Sequence, residues 1–139
     1  MKNQFVPYSI ALALKELGFD EPCIAFYKGE TLLSEFILDN SRTVFYTQIA
    51  DTIINSNEIS APLWQQVIDW CRKKHQTIIA IHAYHDLDAV DKVNQILWDF
   101  TLWDEEWNDV SDYTYYHSYE EAREQAVLEA IKLLKGENK

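Results

Sequence analysis

The segment PCIAFYKGETLLSEFIL, residues 22–38, decides the fold class. It contains two apolar runs, residues 23–27 and 31–38, which are separated by the tripeptide KGE. Apolar runs of this length on either side of a glycine-containing turn are typical of a β-hairpin. Strands joined by a tight turn pair antiparallel and need no crossover helix, so the pattern favours an α+β fold over alternating β-α units.

Three helices are predicted from the spacing of apolar residues and from signals at the helix ends. The first begins near Pro7 and ends at Gly18, a residue suited to the left-handed conformation of a helix cap. The second covers residues 60–75. The third begins at a capping box formed by Ser118 and Glu121. Alanine recurs in it at every fourth position, which would let the helix lie close against a sheet: Ala122, Ala126 and Ala130.

Four further stretches have the composition of strands. They are residues 42–49, 77–84, 95–103 and 112–117. The stretch 77–84 is apolar on both alternating faces, as in a central strand that is covered on both sides. The stretch 95–103 alternates between apolar and polar residues, as in a strand that buries one face. We expect a loop at residues 55–60, NSNEIS.

Together these elements predict one α+β domain over residues 1–139, with the order α-β-β-β-α-β-β-β-α. The domain would contain three helices and a mainly antiparallel sheet of about five to six strands. Residues 136–139 would be a frayed tail. A chain of 139 residues, 47% of them hydrophobic, is large enough to bury a proper core.

The charge balance disfavours one class of function. The chain has 12 Lys and Arg residues against 23 Asp and Glu residues, which gives a net charge of -11. Such a surface repels phosphate groups, so we expect no direct nucleic-acid binding. The basic cluster RKKH, residues 72–75, closes the second predicted helix, where cations complement the helix dipole.

The distribution of apolar residues and cysteines predicts the compartment. No apolar stretch approaches the roughly 20 residues needed to span a bilayer, so we expect no membrane association. The two cysteines, Cys23 and Cys71, lie in apolar surroundings and are predicted to be buried free thiols of a reducing compartment. These features predict a cytoplasmic protein.

The segment TIIAIHAYHDLDA, residues 77–89, raises the question of a metal site. It combines His82 and His85 with Asp86 and Asp88 at the end of a predicted strand. Along a strand, however, the two histidines point to opposite faces, and their spacing fits no familiar metal motif. We therefore predict no metal, no cofactor and no catalytic residue. The alternative is a small hydrolase or ligand-binding protein whose pocket would enclose His82, Asp86 and His117.

The region WDFTLWDEEWNDVSDYTYYH, residues 98–117, is rich in carboxylates and aromatic residues. Exposed aromatic side chains inside an acidic rim are typical of a surface that recognises a protein or a cation. An equally open alternative is that the tryptophans following Trp98 fold back onto the sheet edge. The candidate binding residues are Trp103, Asp104, Glu105, Glu106, Trp107, Asp109 and Asp112.

Three blocks of the sequence carry a resemblance. They are VPYSIALALKELGFDEPCIAFY at residues 6–27, APLWQQVIDWCRKKH at 61–75 and SYEEAREQAVLEAIKLLK at 118–135. In combination they resemble a group of small uncharacterised proteins of Bacteroides and related gut bacteria, often encoded in prophage-like or other mobile regions. The resemblance covers about half of the chain and implies a shared fold, but it supplies no activity and no site residue.

The sequence therefore favours a non-enzymatic protein-interaction or accessory factor, in keeping with a mobile element. Its partner would be an unidentified protein, and the sequence leaves both a basic partner and a homodimer open. A continuous ridge of carboxylates would favour this function, whereas a concave pocket around His82 would favour the alternative.

Overall fold

The computed structural model of the protein describes residues 2–34, 58–85 and 96–136. These residues form an α+β structure with three α-helices and two antiparallel sheets, one of three strands and one of two. The predicted α+β class and the three helices are confirmed, but the predicted number and order of strands are matched only roughly, because the described strands form two small sheets. The strand predicted at 42–49 lies outside the described residues. Within the described ranges, no helix has the length and apolar character that a membrane crossing requires.

The chain divides into two compact units, Met1–Val67 and Ile68–Lys139. The expectation of a single domain stays a prediction. The elements of the first unit are a short 3-10 helix Lys2–Gln4, α1 Tyr8–Glu16, β1 Ala25–Lys28, β2 Thr31–Ser34 and β3 Ile59–Ser60. Helix α2, Trp64–His75, begins in the first unit and ends in the second. The elements of the second unit are β4 Ile78–His85, β5 Ile96–Trp103 and α3 Tyr119–Leu134.

The predicted hairpin is confirmed in the first unit. β1 and β2 pair antiparallel from Ala25 opposite Ser34 to Lys28 opposite Thr31. Gly29, in the turn between them, has φ +60°, a conformation that glycine adopts without the steric cost that a Cβ imposes. The chain therefore reverses at Gly29, as the position of this glycine in the sequence predicts. The end of the second predicted strand lies outside the described residues.

The other edge of β1 pairs with β3, where the sequence predicted a loop. Phe26 lies opposite Ser60, and the Ala61 N–H donates to the Ala25 carbonyl over 3.0 Å. A two-residue strand carries no periodicity, so its position follows from the hydrogen-bonding groups that β1 presents on that side. β1 is thus the central strand of the three-stranded sheet.

Helix α1 places its apolar stripe in the core of the first unit. Ile10, Ala11 and Leu14 are buried, as the periodicity predicts. The helix is capped at Gly18, which has φ +89°, and the Phe19 N–H donates to the Leu14 carbonyl over 2.9 Å. This bond is characteristic of a left-handed helix cap, so the predicted cap is confirmed.

In the second unit, α3 covers one face of the ribbon formed by β4 and β5. The two strands pair antiparallel from Ile78 opposite Trp103 to His85 opposite Ile96. α3 contacts both strands. Its alanine row is fully buried, as the four-residue spacing predicts: Ala122, Ala126 and Ala130. Small side chains therefore let the helix backbone approach the ribbon closely.

The two strands of the ribbon differ in how well the sequence predicts them. β5 alternates as expected from Trp98 onward: Phe100 and Leu102 are buried, and the Trp98 ring contacts the Tyr119 ring of α3, with centroids 5.3 Å apart. Ile96, at the start of the same face, is exposed instead. β4 is exposed over its second half, residues 82–85, and among the described residues it pairs with β5 alone. The prediction of a strand covered on both sides is wrong for that half.

The strand predicted at 112–117 is also wrong. The segment that returns after β5 contacts it at two isolated bridges, Trp103 with Asp109 and Trp98 with Tyr116. Between these bridges the return segment covers two residues more than β5 does. The extra residues interrupt the ladder, because a regular antiparallel pair needs equal lengths on both sides. Residues 113–115, which form no bridge with β5, are named the bulge.

Candidate functional site

The candidate binding residues lie at the end of β5 and on the tight turn that follows it, and residues 103–112 are named the acidic turn. The Asp104 N–H donates to the Asn108 carbonyl, and the Trp107 N–H donates to the Asp104 carbonyl, each over 3.0 Å. The loop between these two ends therefore consists of residues 105–107. Three-residue loops of this kind place their last residue in the left-handed conformation, a position where glycine is favoured.

Trp107 occupies that left-handed position. Its φ is +65°, and the residue is 69% exposed. A left-handed backbone costs a residue with a side chain roughly 1–2 kcal/mol. Trp103 differs, since it is partly buried at the end of β5. The two predicted tryptophans thus share the acidic turn, but Trp107 presents far more of its ring to solvent.

The Asp104 side chain holds the turn together. It accepts hydrogen bonds from the Glu106 N–H at 2.9 Å, from the Asn108 N–H at 2.8 Å and from the Asn108 side-chain amide at 3.0 Å. The hydrogen bonds from Asn108, of which the one from its side-chain amide has the larger effect, hold the pKa of the Asp104 carboxyl below its usual range. Asp104 therefore stays ionised at neutral pH while it fixes the backbone that carries Trp107.

Two further aspartates fold the return segment. Asp109 accepts hydrogen bonds from the N–H and the hydroxyl of Ser111 and from the Tyr113 hydroxyl. The bond from the Ser111 hydroxyl is the main cause that lowers the pKa of Asp109. Asp112 accepts from the Thr114 N–H at 3.0 Å and from the Tyr116 hydroxyl. Both aspartates thus bond to the backbone two residues later, as in Asx turns, and this explains why the segment is not a strand.

Burial gives Tyr116 a different character from its neighbours. Desolvation, reinforced by the Asp112 carboxylate, raises the pKa of Tyr116 to about 12. Its ring stacks on Phe100 with centroids 6.2 Å apart. Tyr116 therefore anchors the return segment to β5, because its backbone also exchanges hydrogen bonds of 2.7 and 2.9 Å with Trp98.

The seven predicted residues consequently have different roles. Asp104, Asp109 and Asp112 bond within their own segment, whereas Glu105 and Glu106 are exposed at the tip of the turn beside Trp107. The sequence prediction missed two exposed tyrosines on the bulge: Tyr113 at 70% and Tyr115 at 58%. The signal that could have indicated a turn here is an aspartate followed two residues later by Ser or Thr, which occurs twice in this segment, at residues 109–111 and 112–114. A turn, unlike a paired strand, leaves neighbouring tyrosines exposed.

The His82 region contains the part of the alternative pocket that the structure describes, and the pocket itself stays a prediction. His82 lies opposite Asp99 across the ribbon, and its Nδ1 is 3.0 Å from Oδ1 of that residue. β4 continues through His85, which lies opposite Ile96 and so on the other face of the strand. Asp86 and Asp88 lie outside the described residues. Among the described residues, no group of three or more His, Cys, Asp and Glu side chains is arranged to hold a metal ion.

The cysteines are confirmed as buried free thiols. Burial is the main cause that raises the pKa of both Cys23 and Cys71 to about 12. Because the thiolate is the reactive form, neither thiol is suited to nucleophilic chemistry at neutral pH.

Comparisons with protein-family models, with curated proteins and with solved structures found no match to this chain. The resemblance to the Bacteroides group stays a prediction. Any functional interpretation therefore depends on the residues themselves.

Proposed function

We propose that the protein is a non-enzymatic interaction factor and that the acidic turn binds its partner. The observation that supports this most strongly is the exposed ring of Trp107 on a left-handed backbone. Such a residue gains little from burial and carries a backbone cost. Burial of the ring against a partner offsets that cost, and tryptophan is among the residue types enriched at binding hot spots.

The charge around Trp107 indicates the kind of partner. Glu105 and Glu106 are exposed beside the ring, Asp104 is held in its ionised form, and the whole chain carries a net charge of -11. Such a field accelerates the approach of a positively charged molecule and repels nucleic acid. We infer a basic protein partner. Two copies of the acidic turn would repel each other, so a homodimer through this surface is less favourable.

The wider setting of the proposal follows from the sequence. We infer that the protein acts in the cytoplasm as an accessory factor. The group that the sequence resembles makes a mobile element of a gut bacterium the expected source. A partner from that host would then be a basic protein, such as one that normally engages nucleic acid and meets an acidic surface in its place.

Capture from host lysate tests the proposal. Immobilised protein, incubated at low salt with lysate of a gut Bacteroides strain, is expected to retain a basic protein that the Trp107→Ala variant does not retain. Leu33→Ala is the matched control, because Leu33 is also an exposed apolar side chain but lies on β2. Retention of the same protein by wild type and Trp107→Ala in equal amounts would contradict the proposal.

A charge-reversal pair provides a second control. Glu105→Lys combined with Glu106→Lys changes the local field without removing the aspartate that holds the turn. Glu30→Lys combined with Glu124→Lys produces the same change in net charge at exposed positions elsewhere. Only the first pair is expected to weaken capture. Equal weakening by both pairs would show that net charge, rather than the acidic turn, governs binding.

A small-ligand site or hydrolase near His82 is the second candidate function, and one observation favours it. A histidine oriented by a carboxylate, as His82 is by Asp99, is an arrangement that general bases use. Hydrolysis of an activated ester at a rate that His82→Ala abolishes would support this candidate. Equal rates of ester hydrolysis for wild type and His82→Ala would rule out a hydrolase that uses His82.

A further inference from the structure

The face of the β4–β5 ribbon that carries Asp99 presents two exposed tyrosines. β4 contributes Tyr84, which is 45% exposed, and the bulge after the acidic turn contributes Tyr115. Their ring centroids are 5.7 Å apart, and the ring planes meet at 85°. The two rings therefore form neighbouring, nearly perpendicular aromatic surfaces that are open to solvent.

A shielded carboxylate adjoins these rings. Oδ1 of Asp99 lies 3.0 Å from Nδ1 of His82, and the Asp99 side chain is only 15% exposed. The Asp99 charge is the main cause that raises the pKa of Tyr84. One oxygen of this carboxylate thus already bonds to His82, and little of the group is open to solvent. It contributes negative charge to the site, but it has limited capacity to accept hydrogen bonds from a ligand.

These properties discriminate between cations. A guanidinium group is best bound by a carboxylate that can accept two parallel hydrogen bonds, and a primary ammonium group is strongly hydrated and needs three acceptors. A quaternary ammonium group donates no hydrogen bond. It is held by the faces of aromatic rings and by nearby negative charge.

We propose that Tyr84 and Tyr115, together with the Asp99 carboxylate, bind a quaternary ammonium group. A cation can lie within about 6 Å of both ring centroids, the distance over which ring faces attract it. The net charge of -11 raises the concentration of cations near the surface. The site does not depend on the acidic turn as a protein-binding surface, so either proposal can fail without the other.

Titration of the full chain followed by NMR tests the site, with tetramethylammonium and choline as probes. At constant ionic strength we expect saturable shifts of Tyr84 and Tyr115 signals, with a dissociation constant that is roughly millimolar. Ammonium chloride and 3,3-dimethylbutanol, the neutral isostere of choline, should bind at least about tenfold more weakly. Equal binding of the neutral isostere, or no saturation up to about 50 mM, would overturn the proposal.

Variants locate the binding and identify its source. Tyr115→Ala should weaken choline binding about fivefold, whereas Tyr115→Phe should retain it because the ring face remains. Trp107→Ala, which removes another exposed aromatic ring, should leave choline binding unchanged. Equal weakening by Trp107→Ala and Tyr115→Ala would place the probe elsewhere and overturn the proposal. Tighter binding of a trimethyl-lysine peptide than of choline would assign the site to a modified protein, and equal binding would assign it to small solutes.

Discussion

Two turns of this protein meet the same backbone requirement with different residues. The hairpin between β1 and β2 places Gly29 at φ +60°, and the turn after β5 places Trp107 at φ +65°. Glycine adopts this conformation freely, whereas tryptophan does so at a cost of roughly 1–2 kcal/mol. The first turn needs only to reverse the chain. A bulky, exposed residue in the second is the kind of outlier from which a functional role is inferred.

The second turn has its own support. Asp104 accepts three hydrogen bonds from the residues around Trp107, so side-chain bonds hold the loop in the conformation that glycine would otherwise favour. The first turn needs no such side-chain support, because glycine adopts positive φ freely. A Cβ added at Gly29 would meet no atom within 4 Å, so only the backbone conformation would oppose a larger residue there. The contrast predicts that substitutions at the two positions have opposite effects on stability.

The largest effect is expected at the hairpin. Gly29→Val should lower the free energy of unfolding by about 1–2 kcal/mol, because a β-branched residue is strained at positive φ although space is available. Gly29→Asn is the control and should be nearly neutral, since asparagine tolerates this conformation. Denaturant unfolding measures both. Equal stability of Gly29→Val and wild type would show that backbone strain does not distinguish the turns.

The opposite change is expected at the acidic turn. Trp107→Gly should stabilise the protein by about 0.5–1 kcal/mol, because relief of backbone strain exceeds the added entropy of the unfolded chain. Trp107→Ala, which keeps a Cβ at positive φ, should show no such gain. A lower melting temperature for Trp107→Gly than for Trp107→Ala would mean that the strain at this position is not relieved by glycine.

The smallest effect is expected from acid. The pKa values of Asp104 and Asp109 lie below the ordinary value of 3.8 in the folded protein. A depressed folded pKa contributes stability above the unfolded value, and that stability is lost as pH falls through the folded value. The turn should therefore loosen only below about pH 4.

The NMR signal of the Trp107 indole N–H follows this acid transition. Asp104→Asn keeps an oxygen acceptor but no ionisable group, so it should flatten the acid response of this signal. Glu105→Gln, at an exposed neighbour, should not. If Asp104→Asn left the acid response of the Trp107 signal unchanged, the conformation of the turn would not depend on the charge of Asp104.

Local signals predicted those parts of the fold whose residues specify one conformation. Gly29 and Gly18 mark positive φ, and Ser118 caps α3 by accepting a hydrogen bond from the Glu121 N–H over 3.1 Å. β3 could not be predicted, because its two residues pair only through what β1 presents. The stretch 112–117 was predicted as a strand because aromatic residues and threonine favour strands. In the structure, aspartate side chains accept hydrogen bonds from backbone N–H groups two residues later, and these bonds replace strand pairing.

The candidate site was predicted in composition but not in geometry. The pattern of carboxylates and tryptophans located the acidic turn, yet it gave no means of separating the exposed Trp107 from the partly buried Trp103. It also missed Asp99 as the partner of His82, because cross-strand register depends on pairing rather than on neighbouring residues. Positive φ at a tryptophan leaves no trace in sequence.

The most direct test of the proposed recognition surface is the kinetics of the captured partner, measured by surface plasmon resonance over a range of salt concentrations. Trp107→Ala should accelerate dissociation by about tenfold or more, since hot-spot truncations act mainly on the dissociation rate. The Glu105→Lys, Glu106→Lys pair should instead slow association and flatten its salt dependence. Association and dissociation rates that both variants leave unchanged would contradict the account.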